Sequence, residues 1–466
     1  MIKCPHCGAE FKYNAKSKLV HCDYCGSDFN PKELKTKVKV SKKKENLLKG
    51  YCYSCTQCGA TLMTFDETAI TFCSYCGSQN MIEDKMIKET APDVIIPFSK
   101  NQEECINNYK KKISSFLFAP GYMKSDMIVK KFRGIYMPYG LYKLEHHGDS
   151  INKGKKYSHR SGDYVYYDDY DIHAMVNATY GGISFDLLSK FYDEYSQSIP
   201  FNAKEAEEFN PNYLPGFYAD SKDVDADTYY DDAVNVGVND SSRFLKKDRI
   251  FSKYGCVTPK VYFNITEKKV GLFPLYFLAI KDKDNEHLHY AVINGQTGAV
   301  AADIPISFFK YILFSLIITV PIFLFINLFP VILPQIICVF TMLMSITAWI
   351  ICAVQISKCN DRYGRYSDKG ISSKSVEVTE NGKIIKPKKI KKYKVKAKYW
   401  VKYLISMLIP LFVLIINPVQ DSFYYGASII GLILVIWSFY DLVKIHNVLV
   451  SRPIPQLEKR GGDENE

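Results

Sequence analysis

Nowhere in its 466 residues does the chain carry GxxxxGK[ST], the loop whose backbone N–H groups and lysine hold nucleotide phosphates. That absence excludes a P-loop ATPase or helicase. No nucleophile with a positioned base and no paired-carboxylate motif is found either, so the chain reads as a non-enzyme. His146, His147, His159, His173, His287 and His289 are scattered and read as ordinary surface or core residues. No charged, apolar, small-residue leader precedes the first cysteine pair, and the N-terminal part is expected to stay in the cytosol. Lys and Arg are missing from Cys55 through Asn80 and from the stretches 327–335 and 417–423. The first gap argues against nucleic-acid contact there, and the other two bear on membrane topology.

Cysteine, by contrast, is plentiful and ordered. Eight of the fourteen form four Cys-x-x-Cys pairs near the N-terminus, a pattern of thiolate metal ligands in a reducing compartment. Cys4, Cys7, Cys22 and Cys25 map onto Cys55, Cys58, Cys73 and Cys76 by a constant shift of 51, with the same inner gap of fourteen residues. Zn2+ needs four soft donors in a tetrahedron, and two such pairs facing each other across a short hairpin supply them, giving two Cys4 sites. Gly8, Gly26, Gly59 and Gly77 each follow a pair and permit the turn of a knuckle. His6 and His21 are rival ligands, but four cysteines already fill each site. Cys52 reads as a spare thiol, because the shift of 51 would place its counterpart at Met1.

The expected architecture is multidomain. Residues 1–30 and 51–85 form two small β zinc ribbons, joined by a basic linker (31–50) with eight lysines against Glu33 and Glu45. Residues 90–305 form an α+β cytosolic domain with an antiparallel sheet. Within it, 93–98 and 131–148 read as strands, 102–118 as a helix with Cys105, Tyr109, Ile113 and Phe116 on one face, and 256–305 as an alternating meander. Turns are expected at Lys283-Asp284-Asn285 and Asn294-Gly295. Two acidic groups, Asp168/Asp169/Asp171 and the run from Asp220 to Asp232, read as solvated faces, since a calcium loop starting at Asp223 would need glycine and glutamate where Thr228 and Val234 stand.

Four apolar stretches, 308–329, 331–356, 400–419 and 423–445, each suit a bilayer core of about 30 Å, so a four-helix α transmembrane domain is expected: one pair at 307–357, another at 400–446, then a tail at 447–466. The loop 358–399 between the pairs is strongly basic. From Lys358 to Lys402 fifteen Lys or Arg face four acids, a net +11 that equals the formal charge of the whole chain. Positive loops stay inside, so the N-terminus, this loop and the C-terminus are placed on the cytosolic side of a bacterial cell membrane. Lys386, Lys388, Lys389, Lys391, Lys392 and Lys394 are candidate ligands for anionic lipid headgroups, with Tyr399, Trp400 and Tyr403 as an interfacial belt. The spans read as lacking buried ionisable residues, with Lys310, Asp441 and Lys444 near their cytosolic ends, which favours anchoring over ion-coupled transport.

The segments "CTQCGATL…TFCSYCGS", "PDVIIPF", "FRGIYMPYGLY", "SGDYVYY", "FPLYFLAIK" and "NGQTGAVAADIP" resemble a family of bacterial zinc-ribbon membrane proteins, known as TFIIB-type zinc-ribbon or, misleadingly, primosomal-helicase-like proteins. The resemblance covers about residues 1 to 305. It implies a cytosolic platform on a membrane anchor, with cytosolic or membrane proteins as partners, of the phage-shock or flotillin-like (SPFH) kind that answer envelope stress. Two other readings stand beside that adaptor. One is a membrane-tethered nucleic-acid binder using Lys3, Phe11, Lys12, Tyr13, Lys16 and Lys18 of the first ribbon with the lysine linker. The other is a membrane enzyme or transporter with its site in 90–305.

Overall fold

The computed structural model describes residues 3–34, 47–65, 70, 72–84, 87–281, 287–326, 333–364, 379–380, 383–384 and 397–453. The linker lysines from 35 to 44, the turn at 283–285, and Lys386, Lys388, Lys389, Lys391, Lys392 and Lys394 lie outside the described residues.

The centre of the molecule is a mixed, mainly antiparallel sheet. Its middle strand, Asn264–Lys281, runs antiparallel to Arg133–Ser161, with Phe273 opposite Met137, and to His287–Asn294, with Phe277 opposite Val292. The expected alternation is not what forms these strands. From Gly271 to Leu278 every residue is buried, because the sheet is covered on both faces and the strand accordingly reads as an unbroken apolar run. Two short parallel pairings complete it: Val94–Ile95 beside Gly271–Leu272, and Tyr218–Ala219 beside Ile135–Tyr136. The Tyr218–Ala219 strand also pairs antiparallel with Met63–Thr64, so the hairpin of the second ribbon is continuous with the main sheet.

The helix expected at 102–118 spans Gln102–Ser114. Asn101 accepts from the Glu104 N–H at 2.8 Å while Glu104 reaches back to the Asn101 N–H at 3.3 Å, a closed capping box. Cys105, Tyr109 and Ile113 are its buried stripe. Phe116 lies beyond its end and is exposed.

Strands Arg133–Ser161 and Tyr164–Asp186 form one long hairpin closed by the two residues Gly162 and Asp163, with Gly162 at φ +61° as such a turn requires. The first acidic group is exposed to solvent, as expected, and its register sets it against basic neighbours. Asp168, Asp169 and Asp171 stand opposite Lys156, Lys155 and Lys153, so the carboxylates face cross-strand lysines on one ribbon. The second acidic run is divided among separate tasks as well. Asp223 accepts from the Ser189 N–H at 2.6 Å, Asp225 caps a turn at the Asp227 N–H at 2.9 Å, and Asp227 pairs with Lys268 at 2.5 Å.

Beyond the sheet, two helices among the described residues are long and apolar enough to cross a membrane: Pro334–Cys359 and Asp421–Leu449. At 1.5 Å per residue these measure about 39 and 44 Å. Of the four expected spans, the other two correspond to shorter apolar helices, Phe308–Pro321 and Val401–Ile416. Small polar residues line the helix contacts. Ser345 donates to the Ser406 carbonyl of a neighbouring helix at 3.4 Å, and Cys338 meets Ser428 at 3.2 Å. Gly431 allows a close approach, since a Cβ there would lie 2.6 Å from Thr341 Cγ2 and 3.4 Å from Pro410 Cγ. Gly431→Val is expected to force these helices apart at a cost of about 1–3 kcal/mol, seen as a lower thermal midpoint in detergent. An unchanged midpoint would show that the contact tolerates spreading.

Charge inside this bundle corrects another expectation. Asp441 is buried and pairs with Lys402 at 2.8 Å, and the Lys402 ammonium lies 4.0 Å from the Trp437 ring centroid. The helices are also bonded to the sheet domain. The Asn447 side-chain amide makes paired hydrogen bonds with the Ile306 backbone at 2.7 and 3.0 Å, and Lys310 donates to the Ala119 carbonyl at 2.7 Å. Past the last helix, the chain returns to the sheet edge at Arg452, which pairs with Leu288, stacks over Tyr192 at 4.4 Å and bonds Glu194 at 2.7 Å.

Candidate metal centres

Each knuckle is built by the same backbone pattern. The glycine N–H after each pair bonds the carbonyl of the pair's first cysteine at 2.9 Å, as in Gly8 to Cys4, Gly26 to Cys22, Gly59 to Cys55 and Gly77 to Cys73. All four glycines have φ between +68° and +76°, a region in which a side chain would be strained. The eight cysteines converge as two separate groups, Cys4/Cys7/Cys22/Cys25 and Cys55/Cys58/Cys73/Cys76, and within each the four sulfurs lie within 4.8 Å of one another. Across the hairpins, Cys4–Cys25 is 3.7 Å, Cys7–Cys22 3.6 Å, Cys55–Cys76 3.6 Å and Cys58–Cys73 3.6 Å. A tetrahedral ion with metal–sulfur bonds of about 2.3 Å separates its sulfurs by about 3.8 Å, so both sets fit a metal ion such as zinc.

The surrounding histidines turn away from the sulfurs. His6 Nδ1 lies 3.1 Å from Ser27 Oγ, and His21 Nδ1 lies 2.8 Å from Asp28. Cys52 is buried opposite Met63 on the strand leading into the second ribbon and stands outside the four-sulfur group. At Cys25, hydrogen bonds from the Ser27 side chain and backbone lower the thiol to about 6, favouring the thiolate that a metal binds.

The two centres differ in their surroundings. In the second ribbon all four cysteines are buried, whereas Cys7 and Cys25 of the first are exposed. The four buried cysteines of the second ribbon pack in one cluster with Phe277, Tyr290 and Tyr75, which lies inside that ribbon's second Cys-x-x-Cys pair. The Tyr75 hydroxyl donates to Asp220 at 2.5 Å, and Asp220 pairs with the buried Lys190 at 2.6 Å. Lys190 also donates to the Thr61 carbonyl at 3.1 Å and sits 5.3 Å from the Tyr75 ring centroid. Burial, and next the Asp220 charge, push the Tyr75 phenol well above its usual range. No sequence motif marks this Tyr75–Asp220–Lys190 cluster, because its members are up to 145 residues apart.

The first ribbon meets the domain through its hairpin instead. Phe11 and Tyr13, expected as aromatics of a nucleic-acid face, are 2% and 5% exposed and pack into the core with Phe98. The Tyr13 N–H donates to the Pro215 carbonyl at 3.0 Å and its hydroxyl to the Phe98 carbonyl at 3.1 Å. Clefts of about 540 and 500 Å³ flank this contact on its two sides. Of the basic residues, Lys12 is paired with Asp23 at 3.5 Å.

No family profile matches the sequence, and no solved structure matches it. The chain is similar to the uncharacterised protein YdjG of Bacillus subtilis (strain 168), 26% identical over 314 residues that cover 66% of this chain and 90% of that one. A match of that length extends well past the two ribbons.

Proposed function

We propose that the protein is a non-enzymatic, zinc-binding membrane adaptor: two Zn-Cys4 ribbons and a sheet domain, held at the cytosolic face of a bacterial membrane by four spans, docking cytosolic or membrane proteins. The observation that carries this reading is the direct bonding of the ribbon-bearing domain to the ends of apolar helices through Asn447, Lys310 and Arg452. A platform fastened in this way presents its metal modules at a fixed height over the bilayer. Outward apolar side chains such as Ile429, Ile433, Ile436 and Trp437 suit contact with lipid. The two shorter helices would complete the spans, and the basic loop between the pairs would set the orientation and meet anionic headgroups through Lys386, Lys388, Lys389, Lys391, Lys392 and Lys394. Membership in the TFIIB-type zinc-ribbon membrane family, with phage-shock or SPFH partners in envelope stress, belongs to the same proposal.

The burial of Phe11 and Tyr13 weakens the nucleic-acid alternative, since neither ring is free to stack on a base. Fusions of a cytosol-active and a periplasm-active reporter should place positions 370 and 466 inside and 418 outside. For the full chain in nanodiscs, steep salt-dependent binding to DNA or RNA, with no binding to any protein from the same cells, would sink the adaptor reading.

A further inference from the structure

The shift of 51 that relates the ribbons also relates their contacts with the rest of the chain. Tyr13 of the first ribbon and Thr64 of the second are equivalent, and both lie against one short segment, Tyr13 at Pro215 and Thr64 at Tyr218. Each hairpin therefore meets the same short segment, the first at Pro215 and the second at the Tyr218–Ala219 strand. At the second knuckle the likeness ends. Ser74, Tyr75 and Cys76 are buried in the sheet domain, whereas their equivalents Asp23, Tyr24 and Cys25 are exposed, with Tyr24 at 83% against 1% for Tyr75. A single exposed tyrosine is ordinary. An exposed tyrosine whose repeat twin is the anchor of a packed interface is a different matter, because the twin shows what that knuckle fits.

The second ribbon's knuckle seats in a pocket of defined chemistry. Asp220 accepts the phenol hydrogen, Lys190 neutralises Asp220 and lies near the ring, Phe277 packs 5.5 Å from it, and the Tyr290 hydroxyl donates to the Tyr75 carbonyl at 2.8 Å. That pocket is filled by Tyr75, so a second copy of this chain has no vacant equivalent to offer. Resting on the adaptor reading, we propose that the Tyr24 knuckle docks a different protein, which receives the phenol in an aromatic-walled cleft holding a carboxylate beside a lysine. Tyrosine suits this role, as a rigid side chain with a large apolar face and a polar tip. Docking would also cover Cys7 and Cys25, giving the first metal centre the enclosure that the second already has.

The test uses the full-length protein in its native membrane with a photoreactive phenylalanine at position 24, and the same probe at Tyr262, another exposed tyrosine, as control. A discrete protein adduct specific to position 24 is expected, its captured peptide next to an Asp or Glu. With that protein purified, Tyr24→Ala should weaken binding by about tenfold or more. Tyr24→Phe should weaken it less, and zinc content should stay unchanged in both. Equal capture at 262, an adduct with a second copy, or binding indifferent to Tyr24→Ala would each overturn the proposal. Lysine-reactive crosslinking of the same membranes separates the two levels. Proteins captured elsewhere on the chain but none at 24 would overturn the Tyr24 assignment and leave the adaptor standing, whereas nucleic acid captured at 24 would overturn both.

Discussion

Replacing Cys76 with serine is expected to unfold much of the sheet domain, while the same replacement at Cys25 loosens only the first ribbon. All four sulfurs of the second centre are buried, and its hairpin pairs with Tyr218–Ala219 inside the main sheet. A metal bound there would contribute folding free energy to the whole sheet. Structural zinc sites contribute about 10–16 kcal/mol in small peptides, and even a loss of half that equals the margin of an ordinary domain, about 5–15 kcal/mol. The first centre holds its knuckles at the surface, with Cys7 and Cys25 exposed. Cys25→Ser should lower the metal content from about two zinc per chain to about one and leave the sheet's thermal midpoint within about 2 °C. Cys76→Ser should give protein that is largely insoluble or melts at least about 10 °C lower. Equal effects at the two centres would mean that the enclosure of the second contributes nothing to the sheet.

The contrast between the centres also marks how far the sequence could be read. The two four-cysteine groups were legible because metal chemistry fixes residue type, spacing and glycine position together within about twenty residues. The Gln102–Ser114 helix was legible for a similar reason, since its cap, its charges and its buried stripe of Cys105, Tyr109 and Ile113 are all local. Features set by distant partners were not. Nothing near Asp168 announces Lys156 as its cross-strand neighbour, because the register of the hairpin depends on a two-residue turn and a bulge beside Tyr167. Asp441 reads as a helix-end residue, but it is buried and paired with Lys402 of another helix. The exposure difference between Tyr24 and Tyr75 is likewise invisible in two knuckles of matching sequence, since it is decided by what packs against them.

Asp220→Ala is expected to be the most damaging substitution outside the metal ligands. It leaves the Lys190 ammonium buried without its carboxylate 2.6 Å away, and removes the acceptor of the Tyr75 hydroxyl. Breaking a buried pair from one side costs about 3–5 kcal/mol, because the remaining charge keeps its desolvation penalty and loses its compensation. Lys190→Met alone should cost a similar amount for the mirror reason. The double variant should cost clearly less than the sum of the two, by a coupling of about 2 kcal/mol or more, since no uncompensated charge remains. It should still fall short of the native stability. The Tyr75 hydroxyl, the Thr61 carbonyl and the Ser221 N–H, which bonds Asp220 at 2.8 Å, would each lose a partner in a dry site. A urea double-mutant cycle on the full-length protein in detergent reads all three values. Simple additivity would show that Lys190 and Asp220 hold the second ribbon's knuckle independently, and that Tyr75 is anchored by shape more than by charge.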